Sequence, residues 1–546
     1  MTQQYDAIVV GAGAAGGIVA CVLAEAGRRV LLLERGRFLS FEEVGRDHLR
    51  NQRISLYGHN AGPDIDGNPR VLEAADGAPY TVRPHEGGYQ NNAATVGGGT
   101  RVYGAQAWRF MEKDFRMAST YGVPEGSSLA DWPISYADLE PFYERAEWEI
   151  GVSGEGEANR FQAPRRRGYP MPAAPPTTTH RMLAKGAEKL GWSTFPTPIA
   201  INTVPRDGRD ACIQCRYCVG FACPSDAKNG TQNTVIPRAL RTVNCELITQ
   251  AMCERIDTDA QGKVTGVTYL VEENGALRRE TAQAKRVIVS SGAIESARLL
   301  LNSTSAHHPT GLGNANDQVG RNIQGHYYPS AQGLFEETLY DGMGPGVSIS
   351  LTQFNHGNPG VVGGGMLSDE FIKLPIIFWY RSHPGNLSRW GKENKDWMRH
   401  AYTRTTHIMG PVQDIPNPTC RARIDPSVKD RYGIPVVRLI GTTHPETVKT
   451  AEFMRQRAIE WLQASGAVRI WSDPPALGMS GGQHQAGTCR MGDDPATSVT
   501  DRWGRVHDHD NLFVIDASLH VTNGGFNPML TIMALAFRSG DYIASL

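Results

Sequence analysis

Six residues near the amino terminus constrain this chain more than any others. Gly11-Ala12-Gly13-Ala14-Ala15-Gly16 follows an apolar strand, Tyr5–Val10, and opens a small-residue helix that runs to about Gly27. A second strand, Arg29–Leu33, ends at Glu34. Glycines at these spacings permit a tight turn and close approach of a pyrophosphate, and the helix amino terminus favours its negative charge. Glu34 follows the last glycine at the distance where a carboxylate can accept hydrogen bonds from an adenosine ribose. A glycine turn alone would be an ordinary structural turn. With strand, helix and acid all in place, the segment predicts dinucleotide binding, of NAD or FAD alike.

The stretch from Ala7 to Ala24 carries no charge and has the crude length of a membrane span. Gly11, Gly13, Gly16 and Gly17 interrupt it, Asp6 precedes it, and residues 1–6 hold no Lys or Arg of a basic n-region. It reads as strand, turn and buried helix, which predicts no membrane insertion and a soluble, cytoplasmic protein. Charge excludes other classes. Lys and Arg number 55 against 56 Asp and Glu, a net −1, whereas nucleic-acid and polybasic membrane binders rely on a one-signed field. Disorder is excluded by 40% hydrophobic and 20% charged residues. The 60 glycines in 546 residues exceed the ordinary ~7%, as expected of many tight turns or a large ligand lying on backbone. At ~100–200 residues per domain, the length suits about three domains or two large interleaved ones.

Further along, Val96-Gly97-Gly98-Gly99-Thr100 forms a second glycine turn after a loop-rich stretch, 36–95. Residues 155–180, rich in Pro and Arg, read as surface connection. Cys245–Ile256, Gly266–Leu270 and Arg286–Ser290 read as strands, and Gly292–Asn302 as a helix. From about 310 to 470, short runs such as Val361–Met366 and Leu374–Trp379 alternate with Gly, Pro and His, the texture of a largely antiparallel sheet. A helix is expected over 444–465, a strand over Asn511–Asp516, and a last helix from Pro528.

Nine cysteines are present, four of them crowded as Cys212-x2-Cys215-x2-Cys218-x4-Cys223-Pro224. An odd count with a local cluster is not a secreted disulfide framework. Four thiolates this close can wrap an iron–sulfur cluster, although the last gap is one residue longer than in ferredoxins. Reduced thiols or a local disulfide remain the plainer reading, with zinc a weaker alternative.

Three segments together resemble the glucose-methanol-choline (GMC) oxidoreductase family. They are Val96–Gly104 (VGGGTRVYG), Ser290–Asn302 (SSGAIESARLLLN) and the tail, with His484–Gly492 (HQAGTCRMG), Asn511–Ser518 (NLFVIDAS) and Gly525–Pro528 (GFNP). The match runs over essentially the whole chain. The resemblance implies an α/β protein with a Rossmann-like FAD-binding domain, assembled from 1–40, 85–110, 205–310 and 475–546. A substrate domain with a largely antiparallel sheet would take 41–84, 111–204 and 311–474.

FAD would lie on Gly11, Gly13, Ala14, Gly16, Glu34 and Arg35, on Gly97, Gly98, Thr100, Tyr103 and Gly104, and on Ser291 and Gly292. Cys253 would contribute backbone only, and Asp516 would face the ribityl–pyrophosphate region. Pro528 suits the first turn of a helix, whose positive end would stabilise the reduced flavin anion. Oxidising an alcohol by hydride transfer to flavin N5 needs a base for the hydroxyl proton. The matching residue is His484, with Asn527 beside it to hold the substrate oxygen. Some sugar oxidases of the family bond flavin to a His in the second glycine turn. Arg101-Val102-Tyr103 stands there, so FAD should be noncovalent.

The cysteine motif also resembles the loop of related sugar dehydrogenases that holds a three-iron cluster near the flavin, with different spacing. Segments 414–418, 421–425 and 429–433 look like the substrate-lining sheet edge of sugar- and gluconate-type dehydrogenases. Phe378, Trp379 and Tyr380 could stack on a pyranose, though an aromatic strand is more often core. The implied reaction is oxidation of a secondary alcohol of a sugar or glycoside, at pyranose C2 or C3, to a ketone. Electrons would pass to oxygen or to a redox partner protein or dye. The alternatives are a non-sugar alcohol or sterol oxidoreductase of the same fold, and a noncatalytic flavin or iron–sulfur electron carrier.

Overall fold

A computed structural model describes residues 4–44, 61–73, 77–90, 93–273, 275–369, 371–479 and 482–546. The loop-rich stretch expected over 36–95 therefore lies partly outside the described residues. The strand Gln4–Val10 is flanked by Val30–Leu33 and by the carboxy-terminal half of Ala276–Val289, all parallel. These form the centre of a seven-stranded sheet. Cys245–Ile248 extends it on one side, while Ala251–Thr258 and Val264–Glu273 extend it antiparallel on the other. Leu512–Val514 pairs with Ala276–Val289 from the far end of the chain.

The sheet's central residues are apolar on both faces, as a parallel sheet covered on both sides requires: Ile8, Val9, Val30, Leu32, Val287 and Ile288 are fully buried. The helix Ala14–Glu25 covers one face and packs on Met529–Ser545. That packing is close because Gly540 lies against Val22 without a side chain between them.

Two smaller sheets complete the fold. One has six strands, all paired antiparallel: Arg469–Trp471, Ser330–Leu334, Thr405–Met409, Leu367–Ser368, Ile349–Leu351 and Phe195–Pro196. The helix Pro445–Ala464 packs across it and buries Trp461 completely. The other has four strands, with the hairpin Arg421–Lys429/Pro435–Ile440 joined in parallel to Arg70–Glu73.

Several expectations need correction. Leu374–Trp379 is no strand; Pro375–Arg381 is a helix. Pro375 occupies its first turn, where a fixed φ helps and the missing N–H costs nothing. The run Val361–Met366 forms a single bridge, Gly365 to Val412, because Gly363–Gly365 offer no side chains to pack. Cys245–Ile256 is two strands on opposite sides of the sheet, parted at Gln250, which takes a left-handed φ of 55°. The Pro/Arg-rich stretch is not all surface. Arg165 reaches in beside Arg109, and both guanidiniums hold the fully buried Glu147 carboxylate at 2.9 and 2.7 Å. The expected helix over 444–465 is present, as is the last helix, whose cap is Pro528 and first residue Met529. Among the described residues no helix is long and apolar enough to cross a membrane.

Candidate active site

The two glycine turns meet. Gly97 donates to the Ala12 carbonyl at 2.8 Å, and a Cβ on Gly98 would come within 2.9 Å of Gly13 Cα. Together they floor one long cavity. Gly11, Gly13, Ala14, Glu34, Arg35, Gly98, Tyr103, Gly104, Cys253, Ser291, Gly292, Asp516, Asn527 and Pro528 all line it, as does His484. Three expected contacts do not. Gly16 lies under the turn, where a Cβ would sit 1.9 Å from the Gly11 carbonyl oxygen. Gly97 and Thr100 pack instead against Gln232. These three shape the cradle without facing it.

Glu34 ends its strand with both carboxylate oxygens engaged, accepting from Ala12 N at 3.0 Å and Gly36 N at 2.8 Å. Burial pushes its pKa up, and the two amide donors oppose that rise. Asp516 ties the tail to the second βα turn: one oxygen accepts from Gly292 N (2.9 Å) and Ser296 Oγ (2.6 Å), and the other accepts from Ser518 N at 2.8 Å. Cys253 is buried, with its thiol donating weakly into its own sheet at 3.7 and 3.8 Å, so only its backbone remains for a ligand. Pro528, Met529 and Ile532 bring the positive end of the last helix to the cavity wall.

At the His484 end, Gln324 and Ala486 exchange backbone hydrogen bonds at 2.9 Å, which sets residues 324–328 beside the tail. His326 Nδ1 then lies 2.8 Å from His484 Nδ1, with the rings nearly perpendicular at 83°. Tyr328 Oη is 3.2 Å from the same nitrogen and accepts from Asn527 Nδ2, also at 3.2 Å. Asn523 donates to the carbonyls of His484 (2.8 Å) and Gly325 (3.2 Å), binding the two segments. Asp414 accepts from Gly325 N at 3.0 Å. The Asn527 carbonyl oxygen is buried in the cavity wall with no hydrogen-bond partner among the described residues. A buried acceptor left open is costly unless a ligand supplies the donor.

Comparison with known proteins is decisive for the family. The amino-terminal GMC oxidoreductase family model matches residues 5–328, and the carboxy-terminal GMC oxidoreductase model matches 416–536. The chain belongs to the GMC oxidoreductase family. A 2-methyl-1,2-propanediol dehydrogenase from Mycolicibacterium austroafricanum is 32% identical over 99% of this chain and 95% of its own. The fructose dehydrogenase large subunit of Gluconobacter japonicus is 29% identical over 99% and 98%. Among solved structures, pyridoxine 4-oxidase from Mesorbium loti superposes with a TM-score of 0.63 over 98% of this chain and 99% of that one, at 17% identity, which shows the fold. The protein is an oxidoreductase acting on CH–OH groups.

In this GMC oxidoreductase, His326, Tyr328, Gln106, Phe371 and Gln483 stand at the site without having been picked out from the sequence. Gln106, Phe371 and Gln483 line the cavity, and Phe371 packs edge-on to Tyr328 at 6.2 Å. His326 and Tyr328 lie 158 and 156 residues from His484, and no local motif marks them. The expected stacking aromatics are elsewhere: Phe378 is buried in its own cluster, Trp379 lies against Trp390, and Tyr380 is exposed. The 421–433 hairpin is no substrate wall either. Asp430 pairs with Arg298 at 2.7 Å, and only Ile434 just beyond it reaches the cavity.

The cysteine loop follows the plainer of its readings, reduced thiols, and not the cluster. Cys212, Cys215, Cys218 and Cys223 line one small cavity with Lys228, and all nine cysteines are free thiols. Among the described residues, no group of three or more His, Cys, Asp or Glu side chains is placed to hold a metal ion. Left-handed φ at Gln214 and Arg216 winds the loop in tight turns, and Arg216 is anchored to the Met343 carbonyl at 2.9 Å. Burial pushes the Cys218 thiol up to about 12, and Lys228 is held by the carbonyls of Tyr103, Cys218 and Phe221 at 2.5–3.0 Å. Among the described residues this arrangement does not fit an iron–sulfur cluster.

Proposed function

We propose that this GMC oxidoreductase uses noncovalent FAD to oxidise a secondary hydroxyl of a sugar or glycoside, at pyranose C2 or C3, to the ketone. The observation that carries the reading is the convergence of His484 and Asn527 on the same cavity that the glycine turns floor. The cavity suits FAD on two structural grounds. Gly13, Gly99 and Gly292 have open space where a Cβ would stand, so a ligand can lie on bare backbone. Arg35 and Glu34 stand where the strand Val30–Leu33 ends, and Asp516 and the last helix's amino terminus lie along the same wall.

When bound, the flavin supplies the hydride acceptor. The chain's own residues do the rest. His484 takes the hydroxyl proton, which makes the carbinol hydrogen a better hydride. The second Nδ2 hydrogen of Asn527 would donate to the substrate oxygen, and Tyr328 Oη, which accepts the first, lies between Asn527 and His484. Residues 1–40, 85–110, 205–310 and 475–546 would form the cofactor domain. All strands of the seven-stranded sheet fall in that set, and all strands of the two smaller sheets fall outside it.

The sugar assignment is supported by the fructose dehydrogenase relative, and the amides of Gln106 and Gln483 offer hydroxyl partners. The diol dehydrogenase relative favours a second reading, a primary carbinol, because C2 of 2-methyl-1,2-propanediol carries no hydrogen to give up. The test is anaerobic flavin reduction by D-glucose, methyl α- and β-D-glucosides, D-fructose and 2-methyl-1,2-propanediol. Products of the methyl glucosides and of the diol, which carry no carbonyl before oxidation, are then trapped with borodeuteride and analysed by mass spectrometry. Deuterium at C2 or C3 of a glucoside supports the proposal. Deuterium only at glucoside C6 or at C1 of the diol supports the second reading, and no flavin reduction by any sugar overturns the first.

A further inference from the structure

We infer that His326 is a positioning residue that fixes the tautomer of His484, so that His484 presents Nε2 as the proton acceptor. The inference rests on the reading of His484 as base. His326 Nε2 lies 3.1 Å from the Asn523 carbonyl oxygen and 2.8 Å from that of Gly524. Carbonyl oxygens only accept, so Nε2 carries a hydrogen. Burial holds the ring neutral, with its pKa down to about 4, so Nδ1 of His326 carries none. That bare Nδ1 faces His484 Nδ1 at 2.8 Å, and one hydrogen must lie between them. It therefore sits on His484 Nδ1. A neutral imidazole with its hydrogen on Nδ1 has its lone pair on Nε2.

The arrangement serves both protonation states of His484. As Nε2 takes the substrate proton, the ring becomes an imidazolium whose Nδ1–H already points at a neutral acceptor. Tyr328 Oη, 3.2 Å from Nδ1, shares that hydrogen as a second acceptor. The titratable groups facing the pair are Tyr328, Asp114, His520 and Asp414. Asp114 draws the His326 pKa upward and His520 is felt as a neighbouring ring, while Asp414 holds the backbone at Gly325. The carbonyls that start the relay belong to residues 523 and 524, directly before the Gly525–Pro528 motif. One tail segment thus supplies Asn527 and orients His484 through His326.

The test compares His326→Leu, His326→Asn and His484→Ala in anaerobic stopped-flow flavin reduction, using the panel member that reduces wild-type holoenzyme fastest. Loss of the group that orients a metal-bound histidine typically costs ~10–100-fold in activity, and the same order is expected for His484. His326→Leu should lower the limiting rate by that factor with substrate Kd near wild type. It should also move the acid limb of the rate profile to lower pH, since the imidazolium loses the nearer of its two acceptors. His326→Asn restores an acceptor oxygen opposite His484 and should recover most of the rate. Independently of any substrate, 15N-histidine spectra of wild type, assigned by comparison with His484→Ala, should show the Nδ1–H tautomer for residue 484. An Nε2–H tautomer overturns the inference, as does a His326→Leu enzyme with wild-type rate and pH profile. If His484→Ala itself reduces flavin normally, the base assignment has failed instead.

Discussion

Asn527 gives one amide hydrogen to Tyr328 Oη at 3.2 Å, while its carbonyl oxygen lies buried in the cavity wall without a partner among the described residues. Tyr328 Oη also lies 3.2 Å from His484 Nδ1, so a single hydroxyl spaces the two side chains that we propose meet the substrate. Asn527→Ala removes one substrate hydrogen bond, worth ~1–3 kcal/mol when its partner is left buried. Flavin reduction should slow by about 5- to 150-fold, and Tyr328→Phe, which spares both functional groups, should cost less than Asn527→Ala. Stopped-flow reduction at saturating substrate ranks them; the reverse order would contradict the assigned roles.

His484→Ala should cost more than either, because general-base catalysis typically contributes ~10²–10⁴-fold. The protein should stay folded and yellow, since the glycine turns and Asp516 lie outside the change. The loss should appear in reduction and not in reoxidation. A variant that reduces at the wild-type rate would move the base elsewhere.

Gly13 and Gly16 stand three residues apart in one motif and should fail in different ways. Gly13 has open space toward the cavity, so Gly13→Ala should lower FAD retention while thermal stability of the apoprotein changes little. At Gly16 a Cβ would strike the Gly11 carbonyl at 1.9 Å, and overpacking of this kind typically costs ~1–3 kcal/mol or more. Gly16→Ala should lower the apoprotein Tm. Equal effects of the two on Tm would show that the structural distinction is wrong.

Acid should destabilise the fold through its buried histidines. Burial lowers His326 and His520 to about 4 and His407 to about 3, and it lowers His180 and His509 as well. An unfolded histidine binds its proton at ~6.5, so between pH 6.5 and 4 the unfolded state holds more protons. Stability is therefore full above about pH 6.5 and falls as pH drops, by up to ~1.4 kcal/mol per unit for each of the fully buried His326, His520 and His407, with His180 and His509 acting in the same direction. Tm should hold near pH 7 and decline from about pH 6.5 to pH 5 in scanning calorimetry, and His520→Gln should flatten the slope. A Tm independent of pH over this range would contradict it.

Val102 is buried in the second glycine turn, where a flavin-bonded residue would have to stand, and it has no nucleophile to offer. Acid precipitation should leave the yellow colour in the supernatant. Because no group of three or more His, Cys, Asp or Glu among the described residues is placed to hold a metal ion, iron should be substoichiometric, and Cys218→Ser should leave the visible spectrum that of flavin alone. Yellow precipitate, or stoichiometric iron, would reverse either statement.

The sequence by itself determined whatever is local and periodic. The glycine turn, its flanking strands and Glu34 are contiguous, and their spacing follows from backbone sterics, so the cofactor cradle was legible before any coordinates. His484, Asp516 and Asn527 were legible through tail segments that resemble a known family. Tertiary structure alone decided which residues share the cavity. His326 and Tyr328 come to His484 from more than 150 residues away, through backbone pairing of Gln324 with Ala486 that no local pattern encodes. It also decided that Gly16, Gly97 and Thr100 shape the cradle from behind, and that Phe378–Tyr380 turn away from the cavity on a helix. Spacing along a chain fixes which residues can share an element; which elements meet depends on how whole faces bury against one another.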